Sequence, residues 1–476
     1  MNIILLLLAV TYFVLTYLRR KRMATEATTL IPFRDEALVF FNLESPDWVK
    51  NAVVYQINIR QFSNEGNLAA VSQQLPRVKG LGVDILWLMP IFPICEDEKK
   101  CDENGTTECW GSPYAPYDFE AIHERYGTSD DLRHLIKTAH DLDLKVILDF
   151  VPNHTGWGAK WMQEHPEWYV HKDGKIMPVT SDQGEVWADI AQLDLNNKQL
   201  REAWMQVHEY WVREFDIDGY REDCAWAIEA DWWQELRVRL NKLKPVYMLA
   251  EDEVHGKEQF SVCFETNYGW GTHAILKDIF KGIRTVNDLH YHTESIKKRF
   301  GKRGWQLNFT QNHDENTWHG AEKDLFGNGA DAFTALCFTM EGMGLIYNGQ
   351  EVSLSQRLSF FNKDEIDWSG ASRAAYFKTL TDLKHRNKAL WNGLDGGFIQ
   401  RITTEYSEKV YAFTREKEDD RVVAVFNLSN DPLSISLQNN VKNGLMLDVF
   451  SKKQVEIQIG MRMDLEPYAF HIFSSK

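Results

Sequence analysis

The chain has 476 residues, of which 44% are hydrophobic and 13% aromatic, so it can bury a large core in one big domain with a smaller one beside it. Its formal net charge of −16 argues against nucleic acid or an anionic surface as the partner of the folded body.

The first 22 residues are predicted to anchor the chain in a membrane. Asn2–Leu18 is almost wholly apolar, near the short limit for a span, and the basic run Arg19–Arg22 follows at once. A secretory signal would carry its charges before the apolar run. The positive-inside rule points to a cytoplasmic body, with the side left open. The alternative is that Met23 is the true start, and residues 23–47 are predicted to be a linker.

The six cysteines fall into two groups. Cys95, Cys101 and Cys109 crowd one polar loop, where they could form one disulfide and leave one thiol, with the pairing open. Their irregular spacing and the lack of a nearby histidine argue against zinc. The other three have apolar neighbours and are predicted to be small buried hydrophobes: Cys224, Cys263 and Cys337.

Strand-like and helical segments alternate between residues 48 and 395. The predicted helices include Leu68–Leu81, Ser129–Leu142, Lys198–Phe215 and Asp231–Leu243. The eight predicted strands are Ala52–Ile57, Val83–Met89, Lys145–Val151, Asp218–Asp223, Pro245–Ala250, Phe260–Phe264, Gln306–Thr310 and Met343–Tyr347. Eight such units predict the α/β class and a closed (β/α)8 TIM barrel over residues 48–395.

Two further regions complete the predicted architecture. Residues 155–195 interrupt the alternation after the third strand and are predicted to form a short inserted lobe. Residues 396–476 contain short strand-like segments between turn residues, without long helices. This pattern predicts a separate C-terminal antiparallel β-sandwich domain.

Polar residues follow five of the predicted strands, where a barrel of this kind places its reactive groups. These strand ends are Asp149–His154, Arg221–Asp223, Glu251–Glu253, Gln311–Glu315 and Tyr347–Glu351. Five polar ends converging on one mouth are hard to explain as caps or turns. The 17 tryptophans are typical of core packing, and their number also favours a surface that stacks sugar rings.

Arg221 and Asp223 share one face of their strand because side chains alternate. An arginine beside a carboxylate favours its ionised form. An ionised, positioned carboxylate is what covalent attack on a sugar carbon needs. On this segment alone, a buried structural ion pair remains the alternative.

The chain resembles the α-amylase family of retaining glycoside hydrolases. Four motifs in the family's order carry the resemblance: DFVPNH at 149–154, GYRED at 219–223, LAEDE at 249–253 and NHD at 312–314. SPYAPYDF at 112–119 and GLIYNGQE at 344–351 are also similar to the family, so the resemblance covers about residues 48–370. It implies a hydrolase acting on α-1,4-glucosidic bonds of starch-like glucans or maltooligosaccharides by double displacement.

The resemblance also implies a role for each matching residue. Asp223 matches the nucleophile, Glu251 the general acid/base and Asp314 the third carboxylate, which stabilises the transition state. The substrate-binding positions are Tyr114, Asp118, His154, Arg221 and His313. Three carboxylates in one pocket repel each other, so one keeps its proton near neutral pH. Glu253 shares a strand face with Glu251 and is the alternative acid if that strand ends later.

No cofactor is expected to be required. Calcium-dependent members carry Lys-His after the nucleophile segment, where this chain has Trp226-Ala227. Asn153 matches a calcium ligand of the family, and Asp189 or Asp194 is a second candidate. A calcium site is therefore possible but doubtful.

Two other functions stay open. One is an α-glucosidase or transglycosylase on the same scaffold, because sequence does not show which acceptor reaches the intermediate. The other is a non-catalytic membrane-anchored subunit, similar to the heavy subunits of amino-acid transporters, which typically lose catalytic carboxylates; here Asp223, Glu251 and Asp314 are all present. The expected partners are an α-glucan or oligosaccharide and, through the N-terminal segment, a lipid membrane.

Overall fold

A computed structural model describes residues 45–102, 107–181, 184–253, 263–300 and 305–476. Eight parallel strands close into a barrel, each paired with the next and β8 with β1. They are β1 Val54–Ile57, β2 Ile85–Leu88, β3 Lys145–Phe150, β4 Gly219–Glu222, β5 Tyr247–Ala250, β6 Thr266–Tyr268, β7 Trp305–Asn308 and β8 Met343–Tyr347. The structure thus confirms the predicted TIM barrel.

Helices alternate with the barrel strands. The longer ones are Leu68–Gly80, Ser129–Asp141, Lys198–Phe215, Ala230–Leu243, Trp270–Phe280, Val286–Phe300, Ala330–Thr339 and Ala374–Arg386, and the short ones are Ile59–Phe62, Lys160–Glu164 and Glu322–Phe326. Helix Ser129–Asp141 shows why such segments form. Thr128 and Asp131 build a capping box at its start, and its apolar face, with Leu132 and Leu135, is buried. Thr128 is therefore the N-cap of this helix.

The sixth barrel strand differs from the prediction. It is Thr266–Tyr268, which pairs with β5 and β7, and not Phe260–Phe264. Thr266 and Asn267 interrupt the apolar run that marks the other strands, so the pattern favoured the earlier segment. Of that segment, residues 260–262 lie outside the described residues.

The inserted lobe follows β3. Its three-stranded sheet has Val186–Gln192 in the centre, with His154–Gly156 on one side and Pro178–Thr180 on the other. The lobe also contains a small hairpin of His171–Lys172 and Lys175–Ile176.

The C-terminal strands form an antiparallel sheet of six and a pair, as predicted. The six are Gln400–Ile402, Val410–Lys417, Asp420–Asn427, Phe470–Ser474, Gly444–Asp448 and Gln454–Ile457, and the pair is Leu433–Ser436 with Arg462–Leu465. The domain boundaries stay predictions.

The expected membrane localisation, with a single N-terminal span, a cytoplasmic body and a lipid partner, is contradicted. Within the described ranges, no helix is both long enough and apolar enough to cross a bilayer. The longest of them, Lys198–Phe215, has 18 residues and includes charged side chains such as Arg201 and Glu209. The predicted anchor itself, residues 1–22, lies outside the described residues.

Candidate active site

The barrel register brings the predicted catalytic side chains to one mouth. Asp149 on β3 is paired with Arg221 on β4, and Arg221 is paired with Leu249 on β5, two residues before Glu251. Glu251 lines a cleft of about 640 Å³, together with Asp223 and Asp314. Its polar lining includes Tyr114, His154, Asp223, Glu251, His313 and Asp314, and its aromatic lining includes Trp187, Trp270, Trp318, Phe360 and Phe361.

Arg221 is the fully buried centre of this group. Its Nη1 donates to Asp149 Oδ1 at 2.8 Å and to Asp223 Oδ1 at 2.7 Å. Its Nη2 lies 3.0 Å from Glu251 Oε2, which also accepts a hydrogen bond from the Cys224 backbone at 2.9 Å. One guanidinium therefore offsets the charge of three carboxylates and fixes their spacing.

The carboxyl groups of Asp223 and Glu251 lie close together, with one oxygen of each within 4.8 Å. Burial raises the pKa of Glu251 well above its usual value; Asp223 and Asp314 raise it further, and Arg221 opposes them. Burial also raises the pKa of Asp314 to about 7. Burial thus favours the protonated form of Glu251, beside the Asp223 carboxyl that Arg221 contacts.

His313 is held neutral by a chain of hydrogen bonds. Gln56 Nε2 donates to His313 Nδ1 at 2.7 Å, so the ring hydrogen is on Nε2, 2.9 Å from Tyr114 Oη. Tyr114 Oη in turn donates to Asp149 Oδ2 at 2.9 Å. Burial lowers the pKa of His313 well below its usual value, and Arg221 adds to the effect. The single N–H of the neutral His313 is therefore engaged with Tyr114, so a substrate hydroxyl that accepts from it would have to replace this partner.

Of the other predicted substrate-binding residues, His154 lies in the cleft and Asp118 does not. His154 lines the cleft, and its Nε2 donates to the Tyr114 carbonyl at 3.0 Å. Asp118 is not part of the cleft lining; its Oδ2 lies 3.0 Å from Lys160 Nζ in an ion pair with the lobe. Asp118 therefore secures the lobe in this structure and does not reach the catalytic group.

The alternative acid, Glu253, points elsewhere. Its Oε2 accepts a hydrogen bond from the Gly271 backbone at 2.6 Å, and its Oε1 lies 3.0 Å from His292 Nε2. It is not among the residues that line the cleft, whereas Glu251 is. The geometry thus favours Glu251 over Glu253.

The candidate calcium ligands do not fit a calcium ion. Calcium takes six to eight oxygen ligands. Asn153 Oδ1 instead accepts a hydrogen bond from Gln192 Nε2 at 2.9 Å, and Asp194 Oδ1 accepts one from the Asn196 backbone at 3.1 Å. Asp189 lies 2.6 Å from Lys100 Nζ in an ion pair. N–H donors of Gln192, Asn196 and Lys100 already contact the oxygens that a calcium ion would need.

A second buried pair lies behind the nucleophile strand. Glu222 Oε1 lies 3.2 Å from His208 Nε2, and neither side chain is exposed. His208 Nδ1 donates to the Trp204 carbonyl at 2.7 Å. The Glu222 backbone carbonyl accepts the hydrogen bond of the Glu251 N–H at 3.0 Å, so this residue supports both catalytic strand ends.

Several residues of the site have no role predicted from the sequence. Asp149 belongs to the DFVPNH segment, and its position on the inward face of β3, level with Arg221, is the sequence signal that could have identified it. Phe360 and Phe361 reach the cleft from a loop more than 240 residues after Tyr114, and no local pattern predicts that contact.

The chain is similar in sequence and in fold to known proteins. Residues 48–239 match the sequence model of the alpha amylase catalytic domain, and residues 401–472 match the maltogenic amylase C-terminal domain. Alpha-amylase 3 of Dictyoglomus thermophilum is 24% identical, over 87% of this chain and 92% of its own length. The maltogenic alpha-amylase of Bacillus acidopullulyticus is 22% identical, over 93% and 80%. The solved alpha-amylase of Lactobacillus plantarum superposes with a TM-score of 0.78 at 26% identity, over 90% of this chain and all (100%) of the other.

Proposed function

This chain is a glycoside hydrolase of the α-amylase family, and on that basis we propose that it hydrolyses α-1,4-glucosidic bonds of starch-like glucans or maltooligosaccharides with retention of configuration. One observation carries the proposal: an oxygen of Asp223 lies within 4.8 Å of an oxygen of Glu251. Retaining enzymes place their two carboxyl groups about 5–5.5 Å apart, whereas inverting enzymes need about 6.5–9.5 Å to admit a water.

In this mechanism Asp223 is the nucleophile. Its ionised carboxylate, held by Arg221, attacks the anomeric carbon and forms a covalent glycosyl ester. Glu251, with its raised pKa, gives its proton to the leaving oxygen as the glycosidic bond breaks. Glu251 then takes a proton from water, which attacks the ester and releases the sugar with its α configuration restored.

The remaining residues stabilise the distorted sugar. Asp314 lies in the same cleft and offsets the positive charge that develops on the oxocarbenium-like ring. We assign hydrogen bonds to ring hydroxyls to His154 and His313, which line the cleft, and stacking under the reacting sugar to Tyr114, which contacts both of them. No step requires a metal or other cofactor.

Proton NMR during the first turnovers on a maltooligosaccharide tests the proposal. We expect the α-anomer to accumulate first; early β-anomer would contradict double displacement. Product analysis on soluble starch and maltodextrin separates hydrolysis from transfer to a sugar acceptor, the alternative on the same scaffold. A non-catalytic subunit would release no sugar, and the assembled carboxylates argue against it.

A further inference from the structure

A second cavity, of about 290 Å³, lies apart from the catalytic cleft. Its lining comes from the residues that follow β7 and from the end of β8 and the residues after it. None of the described residues lines both this second cavity and the cleft. Small-molecule sites typically have volumes of about 300–1,000 Å³, so a cavity of this size suits a single small ring rather than a chain of rings.

Two amide side chains in the lining of the second cavity each have one unpaired end. Gln311 is 2% exposed and Asn348 is fully buried. Gln311 Nε2 donates to the Gly320 carbonyl at 2.9 Å, and Asn348 Oδ1 accepts a hydrogen bond from the Asn58 N–H at 2.6 Å. Gln311 Oε1 and Asn348 Nδ2 have no hydrogen-bond partner of normal geometry among the described residues. Leaving a buried polar atom unpaired is costly, which favours an occupant that completes these bonds.

The polar atoms of this lining match hydroxyl groups. Gln311 Oε1 is an acceptor, whereas Asn348 Nδ2 is a donor. Arg373 Nε is a further buried donor that has no partner in the part of the chain that the structure describes. A hydroxyl both donates and accepts, so neighbouring hydroxyls of one molecule can pair with an acceptor and with donors. Leu354 in the same lining offers apolar surface to the C–H groups of a ring.

The charges around the second cavity are balanced. Arg373 Nη1 donates to Glu322 Oε2 at 2.5 Å, and Arg373 Nη2 donates to Asp331 Oδ1 at 2.7 Å. Lys323 also lines the cavity, so two cationic and two anionic side chains contribute to it. A charged ligand would meet side chains of its own sign as well as of the opposite sign. This balance favours a neutral ligand.

The second cavity and the cleft share one segment of chain, residues 311–316. Gln311 and Asn316 line the second cavity. Asp314, which lies between them in the sequence, lines the cleft. Asn316 Oδ1 accepts a hydrogen bond from the Leu358 N–H at 2.8 Å, so the shared segment is also bound to the residues after β8. An occupant of the second cavity would therefore contact the segment that carries the third carboxylate.

We propose that the second cavity binds one neutral sugar ring, with Gln311, Asn348 and Arg373 as its polar contacts. Such a ring carries several hydroxyls, bears no charge and is small, and these are the three properties that the lining and the volume select. The inference goes beyond the proposed function and does not rest on it, because none of these three residues takes part in the hydrolysis.

Binding of D-glucose to the whole chain tests this site by isothermal titration calorimetry. A330W and N328W each place an indole in the lining, at a half-buried and at an exposed position. We expect both variants to lose glucose affinity by about tenfold or more, because the indole occupies the space of the sugar ring. A375W is the matched control: it makes the same alanine-to-tryptophan change at an exposed helix position outside the lining, and it should bind glucose as the wild type does. Thermal melts show which variants are folded.

Hydrogen exchange locates the bound sugar. Glucose should slow amide exchange in wild-type peptides that cover residues 311–316 and 347–354, and it should not do so in N328W. Unchanged glucose affinity in both lining variants, or a wild type that binds no glucose, would overturn the proposal. A crystal structure grown with glucose that shows only water in the second cavity would also overturn it. Tighter binding of glucose 6-phosphate than of glucose would contradict the neutral class of ligand. Each of these outcomes is independent of whether the chain hydrolyses glucans.

Discussion

Glu251→Gln should abolish most turnover on natural glucans while leaving the fold intact. Gln can still accept the Cys224 N–H that Glu251 Oε2 accepts at 2.9 Å, so the local structure persists. What is lost is the proton for the leaving oxygen. General acid catalysis contributes about 10²–10⁴-fold, or about 3–5 kcal/mol of barrier. On an aryl glucoside with an acidic leaving group, which departs without a proton, the first step should be much less affected.

Glu253→Gln is the matched control, because it makes the same chemical change two residues away. Its carboxylate binds the Gly271 N–H at 2.6 Å and lies 3.0 Å from His292 Nε2, away from the cleft. Gln can keep the Gly271 bond through its amide oxygen and loses only the ion-pair contact to His292, so the free energy of unfolding should fall slightly while kcat of the folded enzyme changes little. Steady-state kinetics on maltoheptaose, combined with thermal melts, distinguishes the effects of the two substitutions. Normal activity of Glu251→Gln together with inactivity of Glu253→Gln would refute the assignment of Glu251 as the acid.

Asp223→Asn should lower kcat on all substrates by on the order of 10⁴-fold or more with the fold retained, since it removes the nucleophile while its amide oxygen can still accept from Arg221 Nη1. Substantial activity by reducing-sugar assay would exclude covalent attack from this residue. A chelator should leave activity and Tm nearly unchanged, because the Gln192 amide already binds Asn153 Oδ1. A metal ion present at 100 times its Kd would add about 2.7 kcal/mol to the free energy of unfolding. A fall of several degrees in Tm on adding the chelator would therefore contradict this prediction. The alkaline limb of kcat should follow the raised pKa of Glu251: the acid is present below that pKa and lost as pH rises through it. Asp314→Asn removes a negative charge that raises the pKa of Glu251, so it should move the alkaline limb to lower pH. If the pH profile of the residual activity keeps its alkaline limb in place, Asp314 does not raise the pKa of Glu251.

The barrel, and the meeting of Asp223, Glu251 and Asp314 in one cleft, could be predicted from the sequence because both follow from local patterns, whereas the catalytic roles stay predictions. An apolar run that ends in polar residues marks β3, β4 and β5, and alternation along a strand places Arg221 and Asp223 on one face. The sixth strand was misplaced because Thr266 and Asn267 break that pattern. Contacts between distant segments were beyond reach: the Lys160 partner of Asp118 and the Phe360 ring beside Tyr114 depend on how loops meet in space.

The buried pair behind the nucleophile strand carries a consequence for alkaline conditions. His208 Nδ1 gives its hydrogen to the Trp204 carbonyl, so Nε2 faces Glu222 Oε1 at 3.2 Å in a fully buried position. Burial raises the pKa of Glu222 and so favours its protonated form there. Ionisation of Glu222 at high pH would place a buried anion at the strand end whose backbone carbonyl binds the Glu251 N–H. Alkaline pH therefore acts at two places: on the Glu251 acid itself and on the strand end that supports it.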